Sequence, residues 1–287
     1  MTIVLASARS LDLLSSRLGS ALGKEWSLRQ WKAGGFNFCQ CSLNPGRRQL
    51  SRRPRKDWQE EVAAGVAAFI VEVLETELLE KIICGQYEIE EEDARGVCSR
   101  AKRILQQGER AYPGSYWRGK ILVERLKEYL QENSYLNIDG FVRFRLPDYL
   151  MELERAAEEA VEEYIVEKEY DEFICVLKYF VEMQEPRVER VHVVLTPQGG
   201  FRLFDGDNRS LERDYLEGFE VDVGDSELNY EDLLLSALIT LAPRQIVLHG
   251  SEKGKGHGII HTLKSVFGER VRMCNGCNRC RQPLHKF

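Results

Sequence analysis

The run Pro243-Arg-Gln-Ile-Val-Leu-His249, followed by Gly258-Ile-Ile-His-Thr-Leu-Lys-Ser-Val-Phe267 and Arg270-Val-Arg-Met273, decides the architecture of this chain. Gln245–His249 reads as a strand, Gly258–Phe267 as a helix with an apolar face, and Arg270–Met273 as a second strand. A strand–helix–strand unit of this kind normally closes as a right-handed parallel crossover. Just upstream, Asn229 stands where an N-cap belongs, with Asp232 at its third position as the reciprocal partner. Leu233, Leu234, Leu235, Leu238, Ile239 and Leu241 make that helix apolar nearly all round, so other elements should cover it until Pro243 ends it. Downstream the unit runs into Cys274-Asn-Gly-Cys277-Asn-Arg-Cys280.

Moving toward the N-terminus, the periodicity is alternating back to Pro186. Val191, Val193 and Leu195 point one way, and Pro197-Gln-Gly-Gly200 turns the chain into Phe201–Asp205, which together read as a β-hairpin. Phe219, Val221 and Val223 alternate again. Before Pro186 the period is helical. Pro147 opens a long helix reaching Met183, with an interruption expected near Lys168–Asp171. Its inner face is Leu153, Ala157, Ala160, Val161 and Tyr164, then Phe173, Val176, Leu177 and Phe180. Asn137-Ile-Asp139-Gly140 has turn chemistry, and Phe141–Leu146 reads as a short extended piece.

Three helices precede it. One is capped by Asp57 and stops at Gly85; the next covers Ile89–Gln107 with Cys98 on its buried face. The third follows a Ser115 cap and carries the stripe Trp117, Ile121, Leu122, Leu126 and Leu130. Thr2–Ala6, a helix from about Leu11 to Leu22, and the alternating Phe36–Leu43 begin the chain. The fold class is therefore α+β: a mainly helical part with short N-terminal strands over residues 1–186, and an α/β part over 187–287 with a Cys-rich tail.

At 287 residues there is room for one large or two ordinary domains. Hydrophobic content of 43% and charged content of 30% describe a globular protein, and a net charge of −6 argues against a generally basic nucleic-acid binder. Arg47, Arg48, Arg52, Arg53, Arg55 and Lys56 form a basic loop interrupted by Pro54, whereas Glu152–Glu172 is a solvated acidic face without histidine. No basic segment precedes the first apolar residues, so no signal peptide is expected. Val62–Val71 is far shorter than the ~20 residues of a membrane helix. The expected compartment is the cytosol, with the eight cysteines as reduced thiols or metal ligands.

Cys274, Cys277 and Cys280 can fold around one metal centre from a single loop. A ferredoxin-type run would need a fourth cysteine at the position of Leu284, so the pattern favours zinc over an iron–sulfur cluster. His285 would complete a Cys3His site, with Cys39 or Cys41 as alternatives. An unliganded, frayed tail is the plainer alternative. Lys253, Gly254, Lys255 and Gly256 lie between a strand and a helix N-terminus, a place where anions bind. They match neither a Walker A loop nor a dinucleotide fingerprint, and a surface turn is the simpler reading. His257 and His261 lack a zincin context, and no nucleophile elbow or kinase set is present, so no catalytic residue is assigned.

Asn137-Ile-Asp-Gly-Phe-Val-Arg-Phe-Arg-Leu-Pro-Asp-Tyr149, Tyr170-Asp-Glu-Phe-Ile174, the Asn229–Pro243 helix and Ser265-Val-Phe-Gly-Glu-Arg-Val271 resemble the YtxC-like family of sporulation proteins. The resemblance implies an intracellular protein of endospore-forming bacteria and supplies no catalytic residues to carry over. The leading expectation is a sporulation-associated, non-enzymatic cytosolic protein that works through a protein partner and no membrane. The runner-up is a metal-binding module that contacts nucleic acid through Arg47–Lys56 or through Arg279 and Arg281. Third comes an enzyme binding a phosphate-bearing ligand over Gly254–Gly258.

Overall fold

The computed structural model describes residues 2–23, 25–43, 58–111, 117–195, 200–211, 230–249, 257–277 and 280. The chain divides into two compact units, Met1–Val166 and Glu167–Phe287.

The first unit holds a four-stranded sheet of order β2-β3-β1-β4, built from β1 (Thr2–Ser7), β2 (Trp26–Ala33), β3 (Phe36–Leu43) and β4 (Tyr135–Asn137). β2 went unread in the sequence because its alternation is mostly polar, and pairing with β3 is what makes it a strand. Gly34 and Gly35 are both left-handed, with φ of 58° and 81°, which is what a two-residue hairpin turn between Ala33 and Phe36 demands. Trp31 stacks on Phe38, its direct cross-strand neighbour, at 5.1 Å.

Around this sheet lie α1 (Asp12–Ala21), α2 (Trp58–Phe69), a π-helical turn (Ile70–Leu74), α3 (Glu75–Gln86), α4 (Glu91–Ala111), α5 (Trp117–Glu132) and α6 (Ile138–Arg145). The first half of α7 (Pro147–Met183) completes the unit. The core joins Ile3, Leu5, Leu14 and Leu18 to Val66, Phe69, Leu126 and Leu153.

Three expectations are corrected here. Residues 137–146 are not a turn and an extended piece but the end of β4 and helix α6. Asn137 Oδ1 accepts a hydrogen bond from the Gly140 amide at 3.0 Å, so the polar residue suited to a turn acts as an N-cap. Gly85 does not stop its helix, which continues through Gln86, and the left-handed residue is Glu88. Finally, α7 is unbroken across Lys168–Asp171. Phe173, Val176 and Phe180, expected on its inner face, are 53%, 66% and 53% exposed. Leu177 packs against the second core as expected, in a stripe with Ile174 and Val181 at i, i+3 and i+7. The proposed caps Asp57, Ser115 and Asn229 and the alternation Phe219–Val223 lie outside the described residues.

The second unit is a sheet of order β6-β5-β7-β8: β5 (Val188–Leu195), β6 (Phe201–Asp205), β7 (Pro243–His249) and β8 (Val271–Met273). β5 and β6 form the antiparallel hairpin, while β5–β7 and β7–β8 are parallel. Helix α8 (Tyr230–Leu241) leads into β7, and α9 (His257–Phe267) connects β7 to β8 through a short 3-10 turn. Val191, Val193, Leu203, Ile246 and Leu248 form one core with Leu234, Leu238, Ile260 and Leu263. The fold is α+β, as its sequence patterning implied. Among the described residues no helix is long and apolar enough to cross a membrane.

One charged group is committed to the first core. Glu75, the first residue after the π-helical turn, faces Arg118 Nη1 at 3.0 Å and accepts the Tyr149 hydroxyl at 2.8 Å, and all three side chains are buried. Burial, and then the charge of Glu75, push the Tyr149 phenol far above its ordinary range, so it is a fixed donor at any working pH. Arg118→Leu removes the cation facing a buried carboxylate and should destabilise the protein by about 3–5 kcal/mol, against about 1–3 kcal/mol for Tyr149→Phe. Urea unfolding at neutral pH measures both. A loss below about 1 kcal/mol for Arg118→Leu would show that the pair does not anchor this core.

Candidate metal centre

Because β7 and β8 are parallel neighbours, their carboxyl ends reach the same edge of the sheet. Leu248 is opposite Met273, and the Cys274 amide donates to the Leu248 carbonyl at 2.9 Å, extending the ladder one residue past β8. Side chains alternate across a sheet. Leu248 and Met273 pack with the core, so the next residues along, His249 and Cys274, belong to the opposite face.

The loop beyond β8 then folds back. Gly276 has φ 103°, a backbone conformation open to glycine and strained for side chains. Cys277 follows it, and the Cys280 amide donates to the Cys277 carbonyl at 3.1 Å. This turn sets the two sulfurs 3.9 Å apart. His249 Nδ1 lies 3.4 Å from Cys277 Sγ and 3.5 Å from Cys280 Sγ. With Cys274, the four donor atoms all fall within 4.8 Å of one another. His249 is only 3% exposed, Cys274 and Cys277 are half-buried, and Cys280 is at the surface. His249 Nε2, on the far side of the ring, lies 2.9 Å from His192 Nδ1.

The backbone amide of Gly276 draws the Cys274 thiol pKa down, but desolvation and the neighbouring thiols of Cys277 and Cys280 outweigh it, and the net shift is upward. The arrangement offers three soft sulfur donors and one imidazole nitrogen, a set suited to thiophilic cations.

Cys274, Cys277 and Cys280 are brought together as their spacing suggested, but the imidazole beside them is that of His249. His285 lies outside the described residues, as do Lys253, Gly254, Lys255 and Gly256, the basic run Arg47–Lys56, and Arg279 and Arg281. Cys39 and Cys41 are fully buried on β3 in the first unit's core and take no part in the cluster. The hydrogen bond with Cys39, together with burial, pushes the Cys41 thiol up, as expected of core thiols. His261 is exposed on α9. Most of the Glu152–Glu172 acids are exposed too. The signal for His249 was present in the sequence: it ends one strand of a parallel pair, and Cys274 directly follows the other.

A family model described as the YtxC-like family matches residues 60–272. A Bacillus subtilis (strain 168) protein described as uncharacterized protein YtxC is 31% identical over 171 residues, which is 59% of this chain and 56% of that protein. The chain thus spans little more than half the length of this curated relative. No solved structure matches the chain.

A β-branched residue at position 276 cannot adopt φ 103° without strain. Gly276→Val should cost the loop about 1–3 kcal/mol, read as roughly five- to 150-fold weaker retention of a thiophilic cation against a competing chelator. Retention equal to the parent's would show that the turn at Gly276 does not shape the cluster.

Proposed function

This chain belongs to the YtxC-like family, and we propose that it carries a structural zinc centre held by His249 Nδ1 and the sulfurs of Cys274, Cys277 and Cys280. The observation that carries this reading is the spacing of the donors. Four ligands at zinc's usual bond lengths, arranged tetrahedrally, lie about 3.8 Å apart from sulfur to sulfur and about 3.6 Å from sulfur to nitrogen. For three of the four donors the separations are 3.9 Å between Cys277 and Cys280, and 3.4 and 3.5 Å from their sulfurs to His249 Nδ1, and Cys274 Sγ lies within 4.8 Å of each. A [4Fe–4S] cluster binds each thiolate through a different iron atom and would hold them farther apart, which favours a single ion over that cluster.

Four protein ligands leave no open position for substrate, so the centre is structural and not catalytic. It would clamp the chain leaving β8 onto the end of β7. A thiolate site of this kind suits a reducing compartment, in keeping with a cytosolic protein. The family resemblance supplies the wider setting: a sporulation-associated, non-enzymatic protein that acts by docking a protein partner, with the zinc-clamped edge of the second unit as a rigid part of its surface.

Protein purified without oxygen or chelator should contain zinc at one equivalent by mass spectrometry. Both the Cys277→Ser, Cys280→Ser double variant and His249→Ala should lose it. A metal-free parent, or a double variant still fully loaded, would refute the zinc centre, and a brown iron chromophore would reassign it.

The raised Cys274 thiol is protonated at neutral pH, so zinc must displace its proton on binding. Affinity should therefore rise with pH and fall as the medium is acidified, with protons released on uptake. Calorimetric titrations in buffers of different ionisation enthalpy check this. Uptake without proton release would mean that the Cys274 thiol is not raised as described.

A further inference from the structure

We propose that His192 is the residue that positions His249, accepting the Nε2–H of that ring and thereby presenting its Nδ1 lone pair to the three sulfurs. Both the choice of tautomer and its consequence for zinc rest on the reading above.

A neutral imidazole carries one proton, and a nitrogen that ligates a metal carries none. If His249 Nδ1 faces the sulfurs as a donor atom, the proton must sit on Nε2. That N–H belongs to a side chain only 3% exposed, where a donor without an acceptor costs about 1–3 kcal/mol. His192 Nδ1 lies 2.9 Å away. To accept, His192 must hold its own proton on Nε2.

The sheet fixes this contact. In the parallel pair β5–β7, His192 is opposite Val247 and Val194 is opposite His249. All four therefore share the face opposite the core, with the two histidines on the diagonal, within reach for long or aromatic side chains. The rings are tilted by 42° with centroids 5.2 Å apart, an edge-to-edge approach rather than a stack. Outer partners of metal-binding histidines are commonly carboxylates or backbone carbonyls, and here an imidazole on the neighbouring strand takes that part.

The test uses the full-length protein and His192→Phe and His192→Gln variants; phenylalanine fills the space without an acceptor, and glutamine restores an amide oxygen. Nitrogen-15 NMR of zinc-free protein should show His249 protonated on Nε2 in the parent and the glutamine variant, and a mixture of tautomers in the phenylalanine variant. Zinc affinity by chelator competition should fall roughly 10–100-fold in His192→Phe and recover in His192→Gln. Both zinc-free variants should still unfold in one cooperative thermal transition, which shows that a loss of zinc affinity does not come from loss of the fold. A parent His249 protonated on Nδ1, or a His192→Phe protein with parental tautomer and affinity, would overturn the proposal. If the parent takes up no zinc, the metal reading fails and the zinc-free NMR result alone decides the role of His192.

Discussion

A parallel strand pair delivers both carboxyl ends to one edge of a sheet, and β7 is paired in that way on both sides, with β5 and with β8. The second unit follows from this constraint. Parallel neighbours need a crossover between them, which α9 provides for β7 and β8. Val191, Val193, Ile246 and Leu248 then share one face with the core helices, and the residues of opposite parity are turned the other way. His192, His249 and Cys274 are the chemically distinctive residues of that second face, and they meet there because strand register gave them no alternative.

The cluster combines rigid and adaptable supports. His249 and Cys274 are positioned by ladder hydrogen bonds, whereas Cys277 and Cys280 come from a loop whose course depends on Gly276. A single ion bridging the two would convert a strand end and a loop into one unit, since metal binding free energy is also free energy of folding. A closed site of that kind would suit holding a surface in shape.

The first unit solves a different problem. Its core contains a carboxylate, Glu75, which Arg118 and Tyr149 meet and so make tolerable there. Replacing the group with apolar side chains could serve stability equally well, so its value lies in fixing how α3, α5 and α7 meet. Buried polar groups penalise every packing that leaves them unmatched, whereas aliphatic contacts tolerate small shifts. Gly65 contributes in the opposite sense: a Cβ there would come within 2.7 Å of the Leu18 side chain, so its absence lets α2 lie close against α1.

Much of the fold was legible in the sequence because it is encoded locally. The strand–helix–strand unit, the β5–β6 hairpin, the long α7 and the grouping of Cys274, Cys277 and Cys280 all depend on residues near one another in the chain, whose period or spacing states the outcome. Where one residue type serves two local structures, the sequence was ambiguous: Asn137 suits a turn as well as a helix cap, and only the buried Phe141 and Val142 of α6 decide for the helix. The exposed Phe173 and Phe180 show the same limit, since burial depends on what lies opposite a helix face and not on its composition. The strand–helix–strand pattern already placed His249 at the end of one strand and Cys274 after the other, but tertiary structure alone closed them into a cluster and set His192, 57 residues away, beside His249, because strand pairing brings together residues that no local pattern relates.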